Sequence, residues 1–192
     1  MTLGNRQNTN QLRIIGGRLK RTKLSFPSVA GLRPTPDRIR ETLFNWLQSD
    51  IYNAHCLDLF AGSGALGFES ISRGAEFVAM VEKDPAAASS IKQNLKRLNI
   101  INAVVYRQDA KEFLQKNQQS ASFDIVFLDP PYGSELLIDC MALLEQEKWL
   151  SSEAKIYIEA SSDGEICLPP NWILHKQNKS GQVAYHLAIR KN

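Results

Sequence analysis

The sequence has few cysteines and lacks any long hydrophobic run. Its three cysteines lie far apart in 192 residues and form neither a disulfide framework nor a CxxC metal motif. No segment reaches the roughly 18 consecutive apolar residues of a membrane span, and the polar N-terminal segment lacks the apolar core of a secretory signal. The three histidines are equally scattered, so no metal site is expected. We expect a cytoplasmic protein in a reducing setting.

Acidic residues are almost missing from the first 40 positions. These positions hold nine Lys or Arg residues and one Asp, whereas the rest of the chain holds 14 basic and 19 acidic residues. Such asymmetry is typical of a basic arm that contacts phosphate beside an acidic body, although a solvated, frayed terminus would show the same charge. The candidate RNA-binding residues in this arm are Arg18, Lys20, Arg21 and Lys23.

The basic segment is predicted to be an extension of the main domain. Residues 1–36 are polar, basic and interrupted by proline and glycine, which favours an extended arm or a β-hairpin over a helix. We expect residues 1–12 to be disordered and residues 12–17 to form a short strand. The remaining residues, 37–192, are predicted to form one domain, which begins with a helix near Asp37.

Apolar strand patterns and amphipathic helix patterns alternate regularly after residue 55. The predicted strands are 55–60, 76–82, 102–108, 122–129 and 154–161, and the predicted helices between them are 65–74, 85–99, 110–117 and 135–147. Two further strands, 171–177 and 182–190, follow as a hairpin. This order predicts an α/β fold with a Rossmann-like, doubly wound, mostly parallel sheet and an antiparallel C-terminal hairpin.

A glycine loop follows the first strand of this sheet. Gly62, Gly64 and Gly67 match the pattern GxGxxG, which is a weak indication alone but here has a strand before it and a helix after it. Asp58 precedes the loop and would repel a pyrophosphate, whereas it would attract a sulfonium or an ammonium group. The loop therefore favours S-adenosylmethionine over NAD, although Asp58 could also cap a backbone group.

Acidic residues end the next two strands as well. Glu82 is placed to accept hydrogen bonds from ribose hydroxyls, and Asp109 to accept one from an adenine amino group. A position beside the N-terminus of the following helix is the alternative for Glu82, although it fits Asp84 better, and Asp109 could cap its helix while it also binds adenine. The candidate cofactor-binding residues from these strand ends are Asp58, Phe60, Gly62, Gly64, Glu82, Lys83, Asp109 and Ala110.

The sequence Asp129-Pro130-Pro131-Tyr132 ends the fourth strand and gives the candidate catalytic residues. Two prolines make a stiff turn that presents acceptors and no backbone donors. The carboxylate of Asp129 and the carbonyl of Pro130 can accept both hydrogens of an exocyclic amino group, while Tyr132 offers a stacking surface for a base. A rigid turn after a core strand, with no chemical role, is the alternative.

These motifs together resemble those of class I S-adenosylmethionine-dependent methyltransferases that modify amino groups. Residues 13–24, 31–47 and 181–187 closely resemble the RsmD family of bacterial 16S ribosomal RNA guanine-N2 methyltransferases. The resemblance implies a methyl transfer from S-adenosylmethionine to the N2 amino group of one guanine, without a metal. The implied partner is 16S rRNA in the small ribosomal subunit or an assembly intermediate, and a monomer is the simplest state.

The resemblance also adds residues that the motifs do not include. Arg33, Pro34 and Thr35 resemble a segment that closes over the cofactor and the substrate, which places Arg33 and Thr35 among the cofactor-binding candidates. Arg38 and Arg40 would reach phosphate and join the RNA-binding candidates.

Three other functions remain open from the sequence. A DNA adenine-N6 or cytosine-N4 methyltransferase would use the same proline turn. An NAD(P)-dependent oxidoreductase would use the glycine loop and Glu82, but it would leave Asp58 and the proline turn unexplained. A non-catalytic RNA-binding factor could keep the fold without the reaction.

Overall fold

The structure, a computed structural model, describes residues 9–116, 122–131, 135–146, 148–164 and 166–191. The strands are β1 (Thr9–Arg13), β2 (Lys23–Pro27), β3 (His55–Asp58), β4 (Phe77–Val81), β5 (Ala103–Tyr106), β6 (Phe123–Leu128), β7 (Leu150–Ser161), β8 (Trp172–Ser180) and β9 (Val183–Arg190). The helices are α1 (Asp37–Trp46), α2 (Ala65–Ser72), α3 (Pro85–Arg97), α4 (Ala110–Lys116) and α5 (Leu136–Gln146). No helix in these ranges is long and apolar enough to cross a membrane.

Seven strands form the main sheet in the order β5-β4-β3-β6-β7-β9-β8. Strands β3 to β7 pair in parallel, and β9 lies antiparallel between β7 and the edge strand β8. The predicted fold class is therefore confirmed. Strand β7 begins at Leu150 rather than at 154, because Leu150 pairs with Phe123 across an irregularity in the register. Residues Ser151 to Glu153 near the start of β7 are polar, so the pattern of apolar residues does not predict this part of the strand.

The order in which the chain adds strands to the sheet reverses between β3 and β6. The chain runs from β3 outward through β4 to β5 and then returns to place β6 on the other side of β3. Ligands of such sheets bind outside the carboxyl ends of the strands, where the strand order reverses. Asp58 ends β3 and Asp129 directly follows β6, so these two acids lie on the two sides of this point.

Helices cover both faces of the sheet and bury two apolar clusters. One cluster joins residues of α1, α2 and α3 to the sheet, and the other joins residues of α4 and α5 to the opposite face. Strands β1 and β2 form an antiparallel hairpin whose Leu12, Leu24 and Phe26 are buried in the first cluster. The expectation that residues up to 12 are disordered is wrong for residues 9–12, because they pair with β2 and contribute to the core.

A buried carboxylate fixes the connection between β1 and β2 to α2. Glu69 is fully buried and accepts hydrogen bonds from the backbone N–H groups of Ile15 and Gly16 at 2.9 and 2.7 Å. The guanidinium of Arg73 donates to the same carboxylate at 2.8 Å, and that of Arg40 lies 3.6 Å away. The basic extension is therefore attached to the body through a charged, buried contact. The boundary between residues 36 and 37 stays a prediction.

Candidate functional site

The glycine loop turns the chain from β3 into α2. Gly62 and Gly64 have φ values of +53° and +80°, in the left-handed region that favours glycine. A Cβ atom on Gly62 would meet nothing closer than 3.8 Å, whereas one on Gly67 would lie 2.5 Å from the sulfur of Met80. Gly67 therefore permits α2 to pack on β4, while a Cβ atom on Gly62 would make only ordinary van der Waals contacts, with Phe60 and Leu32.

Asp58 lies at the base of this loop with 2% of its surface exposed. Its Oδ2 atom accepts a hydrogen bond from the N–H group of Gly67 at 3.1 Å. Burial, with a smaller contribution from the charge of Glu82, raises the pKa of Asp58 to about 7 against the lowering effect of hydrogen bonds from the N–H groups of Gly67 and Phe60. This carboxyl group would be stabilised in its charged form by a bound cation.

Glu82 holds the glycine loop from the end of β4. Its Oε2 atom accepts from the N–H group of Gly62 at 2.7 Å, and its Oε1 atom accepts from the N–H group of Asp84 at 2.7 Å. Each carboxylate oxygen can accept more than one hydrogen bond, so ribose hydroxyls could also bind here. Asp84, not Glu82, caps α3 by accepting from two N–H groups, and Lys83 between them is exposed.

Asp109 caps α4 at the end of the neighbouring strand. Its Oδ1 atom accepts from the N–H group of Lys111 at 2.9 Å and, more weakly, from that of Glu112 at 3.4 Å. Ala110 is buried behind it. The capping contact uses one oxygen of the carboxylate, so the geometry is compatible with a second role in holding an adenine amino group.

Asp129 lies on the other side of the reversal point, next to the buried Pro130. Burial raises the pKa of Asp129 well above its usual range, and the nearby charges of Glu159 and Asp58 add to this effect. A carboxyl group in this setting is a stronger base, once ionised, than one exposed to water. Tyr132, the last residue of the predicted motif, lies outside the described residues.

The sequence motifs do not predict two residues of this site, Glu159 and Tyr157. The pairing of β6 with β7 sets Leu128 beside Ile158, which brings Asp129 beside Glu159 one residue further along. Glu159 is 4% exposed, and its Oε1 atom accepts from the hydroxyl of Tyr157 at 2.8 Å. A glutamate between Ile158 and Ala160, in the more apolar second half of β7, was the available indication.

The N-terminal extension reaches this cluster through Thr35. Thr35 is buried, and its side chain makes a hydrogen bond with Glu159. The predicted closing segment therefore contacts the site through Thr35, whereas Arg33 of the same segment is exposed to solvent. Phe60 is half-buried and contributes its backbone N–H group to Asp58.

The structure separates the six candidate RNA-binding residues into two groups. The side chains of five are exposed, namely those of Arg18, Lys20, Arg21, Lys23 and Arg38. Arg40 is 1% exposed and donates to the carbonyl oxygens of Thr35 and Arg13 and to Asp37. The expectation that Arg40 reaches phosphate is wrong for this conformation, because its guanidinium holds the extension against α1 instead.

The carboxyl edge of the sheet therefore gathers acids from several strands. Asp58 and Glu82 flank the glycine loop, while Asp129 and Glu159 lie on the other side of the reversal point. Such an edge suits a ligand that carries positive charge together with hydroxyl and amino donors. Within the described ranges no group of three potential metal ligands comes together.

The strand order, the glycine loop and the proline turn define a class I methyltransferase fold. RsmC, a 16S rRNA N2 methyltransferase of Thermus thermophilus solved with AdoMet and guanosine, matches with a TM-score of 0.67 at 22% identity. The match covers 96% of this chain and 50% of that one, and at this identity it shows the fold alone.

Proteins that are more similar in sequence than RsmC identify the family of this chain. A family model described as "Conserved hypothetical protein 95" matches residues 12–189. Ribosomal RNA small subunit methyltransferase D of Escherichia coli is 46% identical over 188 residues, which are 97% of this chain and 94% of that protein. The solved structure of yhhF from Escherichia coli matches with a TM-score of 0.85 at 46% identity, over 95% of this chain and 99% of that one. The chain belongs to the family that this model describes, and its resemblance to the RsmD family is confirmed.

Proposed function

We propose that this protein transfers a methyl group from S-adenosylmethionine to the exocyclic N2 amino group of a specific guanine in 16S rRNA and releases S-adenosylhomocysteine. The observation that carries the proposal is the position of Asp129 and Pro130 across the reversal point from Asp58. In this arrangement acceptors for an amino group would lie beside acids that attract a cationic methyl donor. The name of the Escherichia coli relative, ribosomal RNA small subunit methyltransferase D, supports the substrate class.

The residues around the glycine loop fit S-adenosylmethionine. Its bound sulfonium would supply an activated methyl group. Asp58 would attract the ammonium group of the methionine part, the backbone of Gly62 would lie against the ligand, and Glu82 would accept from the ribose hydroxyls. Asp109 would accept from the adenine amino group while it continues to cap α4. None of these roles needs a metal.

The proline turn would prepare the guanine amino group for reaction. The lone pair of this nitrogen is delocalised into the ring, which makes it a poor nucleophile. Asp129 and the carbonyl oxygen of Pro130 would accept its two hydrogens and draw it towards a tetrahedral geometry, and Asp129 would then take one proton. Holding the nitrogen in line with the methyl group would supply much of the rate.

The exposed basic residues would bind the RNA backbone. Arg18, Lys20 and Arg21 lie in the connection between β1 and β2, and Lys23 begins β2. Since Glu69 ties the neighbouring Ile15 and Gly16 to α2, these charges stand at a fixed position relative to the site. We propose that the partner is 16S rRNA within the small subunit or an assembly intermediate, and that the protein acts as a monomer.

A methyl-transfer assay tests this function. Small ribosomal subunits from a strain without the gene would be incubated with the protein and tritiated S-adenosylmethionine, and the rRNA digested to nucleosides. The proposal predicts label in N2-methylguanosine alone. Label in N6-methyladenine or N4-methylcytosine would contradict the target base, and transfer to naked duplex DNA would favour the DNA methyltransferase alternative.

A further inference from the structure

Glu159 is a buried carboxylate that the proposed reaction does not yet use. It lies on β7 beside Asp129, as the pairing of Leu128 with Ile158 shows, and only 4% of its surface is exposed. A buried charge is costly unless donors surround it. Burial raises the pKa of Glu159, whereas hydrogen bonds from the hydroxyl of Tyr157 at 2.8 Å and from the side chain of Thr35 lower it and so favour the charged form.

These contacts hold the Glu159 carboxylate in one place. Tyr157 is itself fully buried on the same strand, and its ring packs against Phe127 of β6 and Tyr185 of β9. The hydroxyl therefore has little freedom to turn away. Thr35 approaches from the N-terminal extension, so the same carboxylate also ties that segment to the sheet.

We propose that Glu159 is a positioning residue that makes Asp129 an effective proton acceptor for the target amino group. This inference rests on the proposed function. In the reaction the amino nitrogen forms a bond to the methyl carbon, the bond from that carbon to sulfur breaks, and one N–H proton passes to Asp129. A negative charge on the adjacent strand strengthens the affinity of Asp129 for that proton.

Among the described residues, other titratable groups also lie close to Asp129 and Glu159. Asp58 of β3 faces Asp129 and acts in the same direction as Glu159, and Glu82 faces Asp58. Tyr157 of β7 and Tyr185 of β9 are the phenols of the cluster. Burial and the charge of Glu159 raise the pKa of Tyr157 well above its usual value, so it remains a donor at neutral pH.

The direction of the effect follows from these charges. Burial, Glu159 and Asp58 all raise the pKa of Asp129, so activity should fall as the pH drops through that pKa. Removing the charge of Glu159 lowers the pKa of Asp129. The acidic limb of the rate profile should therefore move to lower pH, while the weaker base should reduce the rate on the plateau by about three- to tenfold.

The test measures single-turnover methyl transfer against pH for the wild type and Glu159→Gln. We expect the limb to shift to lower pH and the plateau to fall, with the affinity for S-adenosylmethionine changed by less than about twofold. Tyr157→Phe keeps the ring but removes one donor to Glu159, which favours its neutral form. It should shift the limb in the same direction by less, and it provides the test if Glu159→Gln does not fold.

Glu145→Gln serves as the matched control. Glu145 of α5 accepts hydrogen bonds from Asn171, Trp172 and Arg190 at 3.0, 2.6 and 2.8 Å and lies outside the site. It should lower thermal stability without moving the limb. An unmoved limb in both Glu159→Gln and Tyr157→Phe would overturn the inference, whereas no transfer by the wild type would instead contradict the proposed function.

Discussion

Asp58 shows how burial prepares one side chain for a charged ligand. Its carboxyl group is 2% exposed, and its pKa is raised to about 7 by burial, with the charge of Glu82 adding to the effect. A group of this kind is partly protonated at neutral pH and loses its proton when a cation binds beside it. Ligand binding and proton release should therefore be coupled at this residue.

The affinity for S-adenosylmethionine should rise with pH because of Asp58. Below its pKa of about 7 the carboxyl group is neutral and cannot attract the ammonium group, and above that pKa it is charged. We expect about a tenfold gain in affinity between roughly pH 6 and pH 8. Calorimetry in two buffers of different ionisation enthalpy would show the release of protons. Asp58→Asn should bind weakly at both pH values, and an equally steep pH dependence in this variant would assign the coupling elsewhere.

Several site residues were predictable because they belong to local motifs. Asp58 and Asp129 stand at strand ends that a pattern of apolar runs reveals, and Gly62 belongs to the glycine loop that follows the first of these strands. Glu159 was not predictable in the same way, because its role depends on the register between β6 and β7. The predicted phosphate contact of Arg40 is wrong because charge alone does not show that a side chain is buried and donates to backbone carbonyl oxygens.

At the scale of elements, the parallel strands were predictable, whereas the N-terminal hairpin was expected only as the alternative to an extended arm and its first strand, β1, was expected to be mostly disordered. The central strands are buried on both faces and therefore appear as continuous apolar runs. Strand β1 is polar in sequence at Thr9 to Gln11 and contributes Leu12 to the core, so its composition resembles that of a disordered terminus. Strand β1 is instead held in place by its pairing with β2 and by the hydrogen bond from Ile15, which follows it, to Glu69 of α2.

The hairpin should detach from the body when Glu69 loses its charge. In Glu69→Gln the guanidinium groups of Arg73 and Arg40 would lose a carboxylate at 2.8 and 3.6 Å, and one acceptor of the Ile15 and Gly16 N–H groups would become a donor. We expect a loss of about 3–5 kcal/mol in the free energy of unfolding. Urea denaturation measures it, and hydrogen exchange should increase first in residues 9–27. A loss below about 1 kcal/mol would show that the carboxylate is not needed there.

At the scale of the whole molecule, charge is divided between two surfaces. The exposed basic residues of the hairpin lie on the sheet face covered by α1, α2 and α3, while the opposite face carries α4 and α5. The acids of the site lie at the carboxyl edge between these faces. This division allows the protein to attract an RNA backbone on one side and a cationic ligand at the edge.

Charge reversal on the hairpin should weaken RNA binding and flatten its dependence on salt. Lys20→Glu combined with Lys23→Glu would remove two of the proposed phosphate contacts, which should reduce the slope of log affinity against log salt by about 1.5 to 2. The matched control reverses two exposed lysines on the α4 and α5 side, Lys116 and Lys148. Titration of a fluorescent small-subunit rRNA fragment at several salt concentrations measures both variants. Equal slopes in the two double variants would contradict a role for the hairpin.

The central claim is that Asp129 and its proline turn direct methyl transfer to the amino group of one guanine. The most direct test is mass spectrometry of nucleosides from small-subunit rRNA of cells that lack the gene and carry either the wild type or Asp129→Ala. We predict that the wild type restores one N2-methylguanosine per subunit, and that Asp129→Ala restores none although it still binds S-adenosylmethionine. Full restoration by Asp129→Ala would contradict this account of the reaction.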